Sequence, residues 1–389
     1  MINGLGPLGR LNRALAAVAA VAVIGACAGD AQTDGQSGPA ATPGSDRTAR
    51  VSAMAFFPEG RGWVVTDDGV FRTTDNGSTW LDATPPVAAQ GFFFRDPATA
   101  WALRFGDAAG DRATAVVLAT RNGGVRWDQH TVSLAFDGAA PGGAGSVFVI
   151  DQATGWLLGQ AQTSSAASKG VLYRTADGGA SWTKVTTPIA GTLRFATATD
   201  GWVAGGAAGG ELYVTRDGGA TWTPVAVPHR SPSQPWLTTV AAPIVVGRQA
   251  AVLPIQVRLS TTADQSDLYF LVTSDTGRTW TAAGPPLRTD QGGSVFEGST
   301  ERLSVVTANH WFLLANGLWT TRDAGRSWHQ VTSDRDLRYG VRISFTSPSI
   351  GWLYAEQTTC QAPKVNCTTK SSLLRTTDGG HTWAEIIVR

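Results

Sequence analysis

Tyr339 follows Arg338, precedes Arg342 by three residues, and has Asp336 just upstream and Glu301 further back. A tyrosine served by a carboxylate can act as a nucleophile, and neighbouring arginines can hold an anionic substrate. Glu59, Asp96, Asp151 and Asp200 each stand shortly before a tryptophan, at one recurring location. That placement reads as turn or strand-end chemistry, not as two carboxylates facing each other across a glycosidase cleft. The five histidines, at 130, 229, 310, 329 and 381, show no metal-ligand spacing, and the Gly-Gly dipeptides belong to turns, not to a phosphate loop. Neither a metal nor a cofactor is expected. The formal net charge of +1 points to no nucleic-acid partner.

The N-terminus carries a different chemistry. Arg10 and Arg13 precede an apolar stretch at 14–26 that is short for a membrane span. Ile24-Gly25-Ala26-Cys27 resembles a bacterial lipobox, in which the cysteine becomes lipidated; Ala26-Cys27-Ala28 also fits the small-x-small cleavage site of an ordinary signal peptide. The chain has three cysteines. Pairing Cys360 with Cys367, as an exported protein favours, leaves Cys27 for lipid attachment; the alternative is two free thiols. Residues 28–49 hold almost no large apolar side chain and read as a flexible tether with a reach of about 25 Å. The expected organisation is a signal segment at 1–27, a tether at 28–49 and a folded domain at 50–389. The expected place is extracytoplasmic, anchored to the bacterial cell membrane or else secreted.

The elements that must position any site come from a repeat. The stretch RTTDNGSTW at 72–80 contains Thr-x-Asp-x-Gly-x-x-Trp, and near-copies end at Trp182, Trp222, Trp280, Trp328 and Trp383, with a weaker one at Trp127. Asp177, Asp217, Asp275, Asp323 and Asp378 take the place of Asp75, and Asn122 substitutes in the weak copy. Successive tryptophans are 40–58 residues apart, the range of propeller blades. A second signature precedes six of the copies, with Trp63, Trp101, Trp156, Trp202, Trp311 and Trp352 each opening an apolar run. Seven residues before five of these stand Phe56, Phe94, Val149, Phe195 and Phe345. Each unit reads as four short strands with apolar residues alternating with polar or small ones. Such a sheet needs neighbours on both faces, so the reading is an all-β, seven-bladed β-propeller of four-stranded antiparallel blades. Within each turn the Asp accepts backbone N–H groups, Gly77 and its equivalents permit positive φ, and Trp80 and its equivalents pack the blade.

This turn resembles the Asp-box, or BNR repeat, and the resemblance covers about 340 residues of the chain. The photosystem II stability/assembly factor-like family is most similar in layout. Sialidases, sortilin-type receptor domains and xyloglucan-cleaving glycosidases share the turn. The first resemblance implies a non-enzymatic binding or assembly scaffold. The sialidase resemblance implies a carbohydrate-active enzyme, or a sugar-binding module, in which Tyr339 works with Asp336 or Glu301. The Arg-Ile-Pro motif of sialidases is absent from this sequence.

Seven repeated turns are a poor place for a single site. Function is expected on the opposite face, where the two-to-three hairpins and blade links are long and irregular. The candidate binding residues are His229, Arg230, Trp236, Arg288, Arg335, Arg338 and Tyr339, facing an unknown protein or cell-envelope glycan. The bland alternative is that Trp236 plugs a loop and the arginines are merely solvated. A monomer is expected, touching the membrane only through its N-terminal lipid.

Overall fold

The computed structural model describes residues 49–162, 169–228, 238–259, 265–290, 295–296, 300–361 and 365–388. The signal segment, Cys27 and nearly all of the tether lie outside the described residues. Seven antiparallel sheets succeed one another along the chain, and the first strands of neighbouring sheets touch to make an inner ring. Blade 1 comprises Val51–Phe57, Arg61–Thr66, Gly69–Thr73 and Leu81–Asp82. Blades 2, 3 and 4 open at Gly91–Phe94, Pro141–Val149 and Thr192–Phe195, and blades 6 and 7 at Leu303–Val305 and Gly340–Phe345. Blade 5 keeps four tracks, but two are broken: Thr238–Val240 and Ile244–Val246 share the inner track, Thr281–Ala282 and Leu287–Thr289 the outer one.

The inner strands do not show the expected alternation. Phe92, Phe93 and Phe94 are all buried, as is every residue of Trp311–Leu314. Each blade stands between two others, so both faces of its inner strands are dry. Apart from the eight-residue Asp128–Ala135 of blade 2, the outer strands are shorter than expected. Leu81–Asp82, Thr223–Pro224, Thr281–Ala282 and His329–Gln330 have two residues each, which leaves little free edge to pair with another chain.

Ring closure uses side chains, not an exchanged strand. Blade 7 owns all four of its strands, and the last ends at Ile386, short of the terminus. Val51, Met54, Phe56 and Val64 of blade 1 pack with Trp352, Tyr354, Leu373 and Ile386 of blade 7. Phe56 lies flat on Trp352, with ring centroids 4.1 Å apart. Arg342 of blade 7 donates through Nη1 to the Val51 carbonyl at 3.1 Å.

The same stack recurs around the ring. Phe195 covers Trp156 of the preceding blade at 3.5 Å, and Phe345 covers Phe312 at 3.7 Å. The glycine before the next tryptophan makes room for the ring: a Cβ on Gly62, Gly201 or Gly351 would approach Phe56, Phe195 or Phe345 within 2.3–2.4 Å. Blade 2 has Ala100 at that position, and there Phe94 stands off Trp63 at 5.3 Å and a 19° tilt. One methyl group therefore decides how tightly two blades stack.

Each repeated turn is a closed hydrogen-bond unit. In the first, Thr73 Oγ1 donates to Asp75 Oδ1 at 2.8 Å and accepts from Gly77 N at 2.8 Å. Thr79 N and Thr79 Oγ1 donate to the two carboxylate oxygens at 2.9 and 2.6 Å. The leading threonine is buried in all seven copies. In the weak copy Arg126 replaces the second hydroxyl residue, and Asn122 accepts only the Thr120 hydroxyl and the Arg126 N–H. The turns also join blades: Trp127 Nε1 donates to the Ala83 carbonyl of blade 1, and Trp222 Nε1 to the Thr186 carbonyl of blade 3.

Two expectations follow from this unit. The position after the acid has φ between 62° and 78° in every copy, and Asn76, Thr276 and Ala324 occupy it without being glycine. Ala324→Gly is expected to stabilise the protein by about 0.5–1 kcal/mol, since relief of left-handed strain outweighs added chain entropy. Urea unfolding checks this, and equal or lower stability refutes it. The acids respond to pH. The hydroxyl bond from Thr79, Ser181, Thr221 or Ser327, helped by backbone N–H bonds, holds Asp75, Asp177, Asp217 and Asp323 down to about 2. Asp275 and Asp378 are lowered by the equivalent Thr279 and Thr382 bonds. The unfolded carboxyl takes its proton first, near pH 4, so this stabilisation is complete above that pH and is lost as pH falls through about 2. Tm is therefore expected to drop steeply between about pH 4 and pH 2; a flat profile in that window contradicts the assignment.

Candidate functional site

One face of the ring is occupied by the repeated turns. Asn76 N, Gly123 N, Gly178 N and Gly379 N donate to carbonyls in the first-to-second-strand turns beneath them, at 2.7–2.9 Å. The hairpins between second and third strands and the blade links emerge on the other face. Part of what the sequence suggested as loop is ladder. Residues 105–114 lie mostly within Ala100–Ala109 and Arg112–Thr120, and residues 132–145 run into Asp128–Ala135 and Pro141–Val149. The cysteine segment is the far end of Gly351–Gln361 and Val365–Thr376, and the Cys360–Cys367 disulfide ties that arm. Facing Thr358 and Thr369 hydroxyls, 2.9 Å apart, show why: opposed threonines keep a two-stranded arm in register beyond the blade.

The candidate residues separate. His229, Arg230 and Trp236 lie outside the described residues. Arg288 is on the broken outer track of blade 5, in a two-bond pair with Asp267 at 2.8 and 3.1 Å. That pair serves the blade, and the bond to Asp267 raises the Arg288 pKa. Arg335 and Arg338 line an open depression of about 470 Å³ between the blade 6 hairpin at Asn316–Gly317 and the link to blade 7, with Leu318, Val331 and Leu337 at its base. Arg338 grips Asp336 with Nη2 at 2.8 Å, and those bonds lower the Asp336 carboxyl. Tyr339, at the edge, is 39% exposed, a large aromatic left open to solvent. Each carboxylate that might have activated it is held by an arginine: Asp336 by Arg338, Glu301 by Arg342 at 3.0 Å.

A second group escaped sequence reasoning. Arg194 of blade 4 is buried, and burial pushes its pKa down to about 10, with Glu301 of blade 6 opposing the shift. Arg302 is also lowered by burial and by Arg342, again against Glu301. Arg342 is paired with that carboxylate at 3.0 Å, and the charge of Glu301 also acts on Arg194 and Arg302. Arg194 also lies over the Phe148 ring at 5.7 Å. The three arginines are more than a hundred residues apart at the extremes, so no local spacing could have found them.

The described chain is a seven-bladed β-propeller with turns on one face and hairpins, links and an open arginine-lined depression on the other. Among solved structures it is similar to YCF48 from Cyanidioschyzon merolae, at 16% identity over 80% of this chain and 94% of that one, with a TM-score of 0.46. It is similar to an α-L-arabinofuranosidase from Fusarium graminearum, at 12% identity over 81% and 89% of the two chains and a TM-score of 0.40. A xyloglucanase from Xanthomonas campestris matches at 12% identity over 85% and 63%, with a TM-score of 0.31. No protein-family model and no curated protein matches the chain. Likenesses this distant say nothing of activity, and the fold rests on the strand topology itself.

Proposed function

We propose that this protein is an exported, lipid-anchored binding scaffold without catalytic activity, engaging a protein or glycan through its loop-rich face. The observation that carries this reading is the open depression bearing Arg335 and Arg338, with Tyr339 beside it. Arginine and tyrosine are frequent binding anchors, and the rigid ring presents them without ordering cost. Residues 1–27 supply the export signal and Cys27 the lipid. The test is photocrosslinking in the native envelope from probes at Arg335 and, on the opposite face, at Ser78. A defined adduct is expected from the first site alone. Reversing charge with Arg335→Glu and Arg338→Glu together is expected to weaken capture of the identified partner about tenfold. Equal adducts from both faces contradict the reading.

A second reading, a carbohydrate-active or sugar-binding protein, is favoured by the arginines that feel the charge of Glu301, which would suit an acidic sugar. A panel of fluorogenic glycosides separates the two. Saturable hydrolysis that Tyr339→Phe abolishes would establish the enzyme and remove the scaffold.

A further inference from the structure

Asp128–Ala135, the outer strand of blade 2, departs from its equivalents. It pairs with Arg112–Thr120 residue by residue along its whole length, with no shift of register. The end of the strand shows which way its backbone groups point. Phe136 N donates inward, to the Asp111 carbonyl at 2.7 Å. Ala135 faces the other way: its N–H donates to the Tyr173 hydroxyl and its carbonyl accepts from Lys184 Nζ, each at 2.8 Å and both from blade 3. Backbone groups alternate along an antiparallel strand, so Gln129, Thr131 and Ser133 turn their N–H and C=O outward as Ala135 does. Among the described residues no strand pairs with that side. The side chains of Gln129, Thr131 and Ser133 are exposed as well, whereas Val132 and Leu134 on the other face are buried in the core shared with blade 3.

Proteins usually guard such an edge with a charge, a proline or a bulge. Between Gln129 and Leu134 there is no acid, lysine, arginine, proline or bulge. We infer that this edge pairs antiparallel with the same edge of a second copy, joining two blades into one sheet about a two-fold axis at Thr131.

The edge matches itself, which favours a second copy over a foreign strand. With Thr131 opposite Thr131, Gln129 falls opposite Ser133, and each outward residue meets another that offers one donor and one acceptor. Three such pairs make about six hydrogen bonds, and opposed threonines are a favourable cross-strand pair. Tyr173 and Lys184, which cap Ala135, limit the joint to these residues. The charges tolerate it. Asp128 falls opposite Leu134, whereas a parallel joint would set Asp128 against Asp128. At each end Arg121, Arg126 and Asp128 of one copy come beside Asp137 and Lys184 of the other. Asp111 and Arg112 lie one strand further in, Arg104 and Asp107 two, so cations and acids stay nearly balanced.

Assembly stops at two. The two-fold joint uses up the one long outer strand among the described residues, and the other outer strands have two or three residues each. Three residues on each edge bury less than a permanent interface needs, so the dimer is reversible, and the monomer expected from the sequence is its dissociated form. The strand leaves a repeated turn and ends on the loop-rich side, so an antiparallel joint sets the two loop-rich faces in opposite directions.

The experiment uses the full chain in mild non-ionic detergent, so that any lipid plays no part in association. Sedimentation over roughly 1–200 µM is expected to show a reversible dimer and nothing larger. Thr131→Lys puts like charges together on the axis and is expected to weaken dimerisation about tenfold with Tm unchanged. T131C is expected to form a disulfide between copies on mild oxidation, since facing Cα atoms would stand about 5.5 Å apart, and S78C on the turn face is not. If Thr131→Lys lowers Tm, Ser133→Lys replaces it. A monomer throughout the range overturns the inference. So does a dimer that the lysine variant with unchanged Tm leaves intact, or a species that keeps growing with concentration. T131C that bonds a different envelope protein while the wild type stays monomeric overturns the second copy and gives the edge to a foreign strand.

Discussion

Trp352→Ala is expected to lower unfolding stability by about 3–5 kcal/mol and to open the ring at one place before the rest unfolds. Trp352 is fully buried and stacked on Phe56, and the seam they share is the one blade contact with no chain running through it. Every other pair of neighbouring blades is joined by a covalent link, so losing a stack there leaves the blades tethered. The polar contacts across the seam cannot compensate. The Arg50–Glu356 pair is exposed on its arginine side and of small worth, and beside it stand the Arg342 bond to the Val51 carbonyl and the Val51 backbone bond to the Tyr354 hydroxyl. Trp101→Ala is the comparison, since Trp101 is equally buried but sits within the continuous chain. Urea unfolding should show similar losses for both. Hydrogen exchange should separate them, with early exchange in Val51–Phe57 and Gly340–Phe345 for Trp352→Ala alone. Identical exchange patterns would falsify closure through this stack.

Gly201→Ala should cost about 1–3 kcal/mol, through overpacking and not through loss of a contact. The added Cβ would lie 2.3 Å from Cδ1 of Phe195, so the ring must leave its 3.5 Å stack on Trp156. Blade 2 shows where it would go, because Ala100 coexists there with a phenylalanine held at 5.3 Å. The variant should therefore fold, and Phe195→Val should restore part of the loss. Val149 sits opposite Gly155 in just that manner, 3.4 Å from where a Cβ would stand. Wild-type stability in Gly201→Ala, or no recovery in the double variant, would show that the ring is not the obstacle.

The repeat was legible because each of its residues acts within eight positions of the next. The Thr-x-Asp-x-Gly grammar closes its own hydrogen bonds, so the sequence alone counts the blades and marks the turn face. The buried threonine was in plain view in all seven copies, but its role as the bridge between Asp75 and Gly77 depends on geometry that a motif does not display. Of the candidate site, Arg335, Arg338 and Tyr339 were legible as polar and aromatic residues in one link, and the structure places the two arginines in a single depression with Tyr339 beside it. Arg288 reads the same way in sequence, yet its partner Asp267 comes from a strand 21 residues earlier, and the pair is a fixture of the blade.

What the sequence by itself determined is therefore local: strand, turn, blade count and the side on which the turns gather. Only the tertiary structure decided how the ring closes, which suggested loops continue as ladders, and that Arg342 pairs with Glu301. The physical reason is range. Hydrogen bonds in a turn span a few residues of chain, whereas closure depends on contacts between blades as much as 306 residues apart, and no spacing rule encodes those.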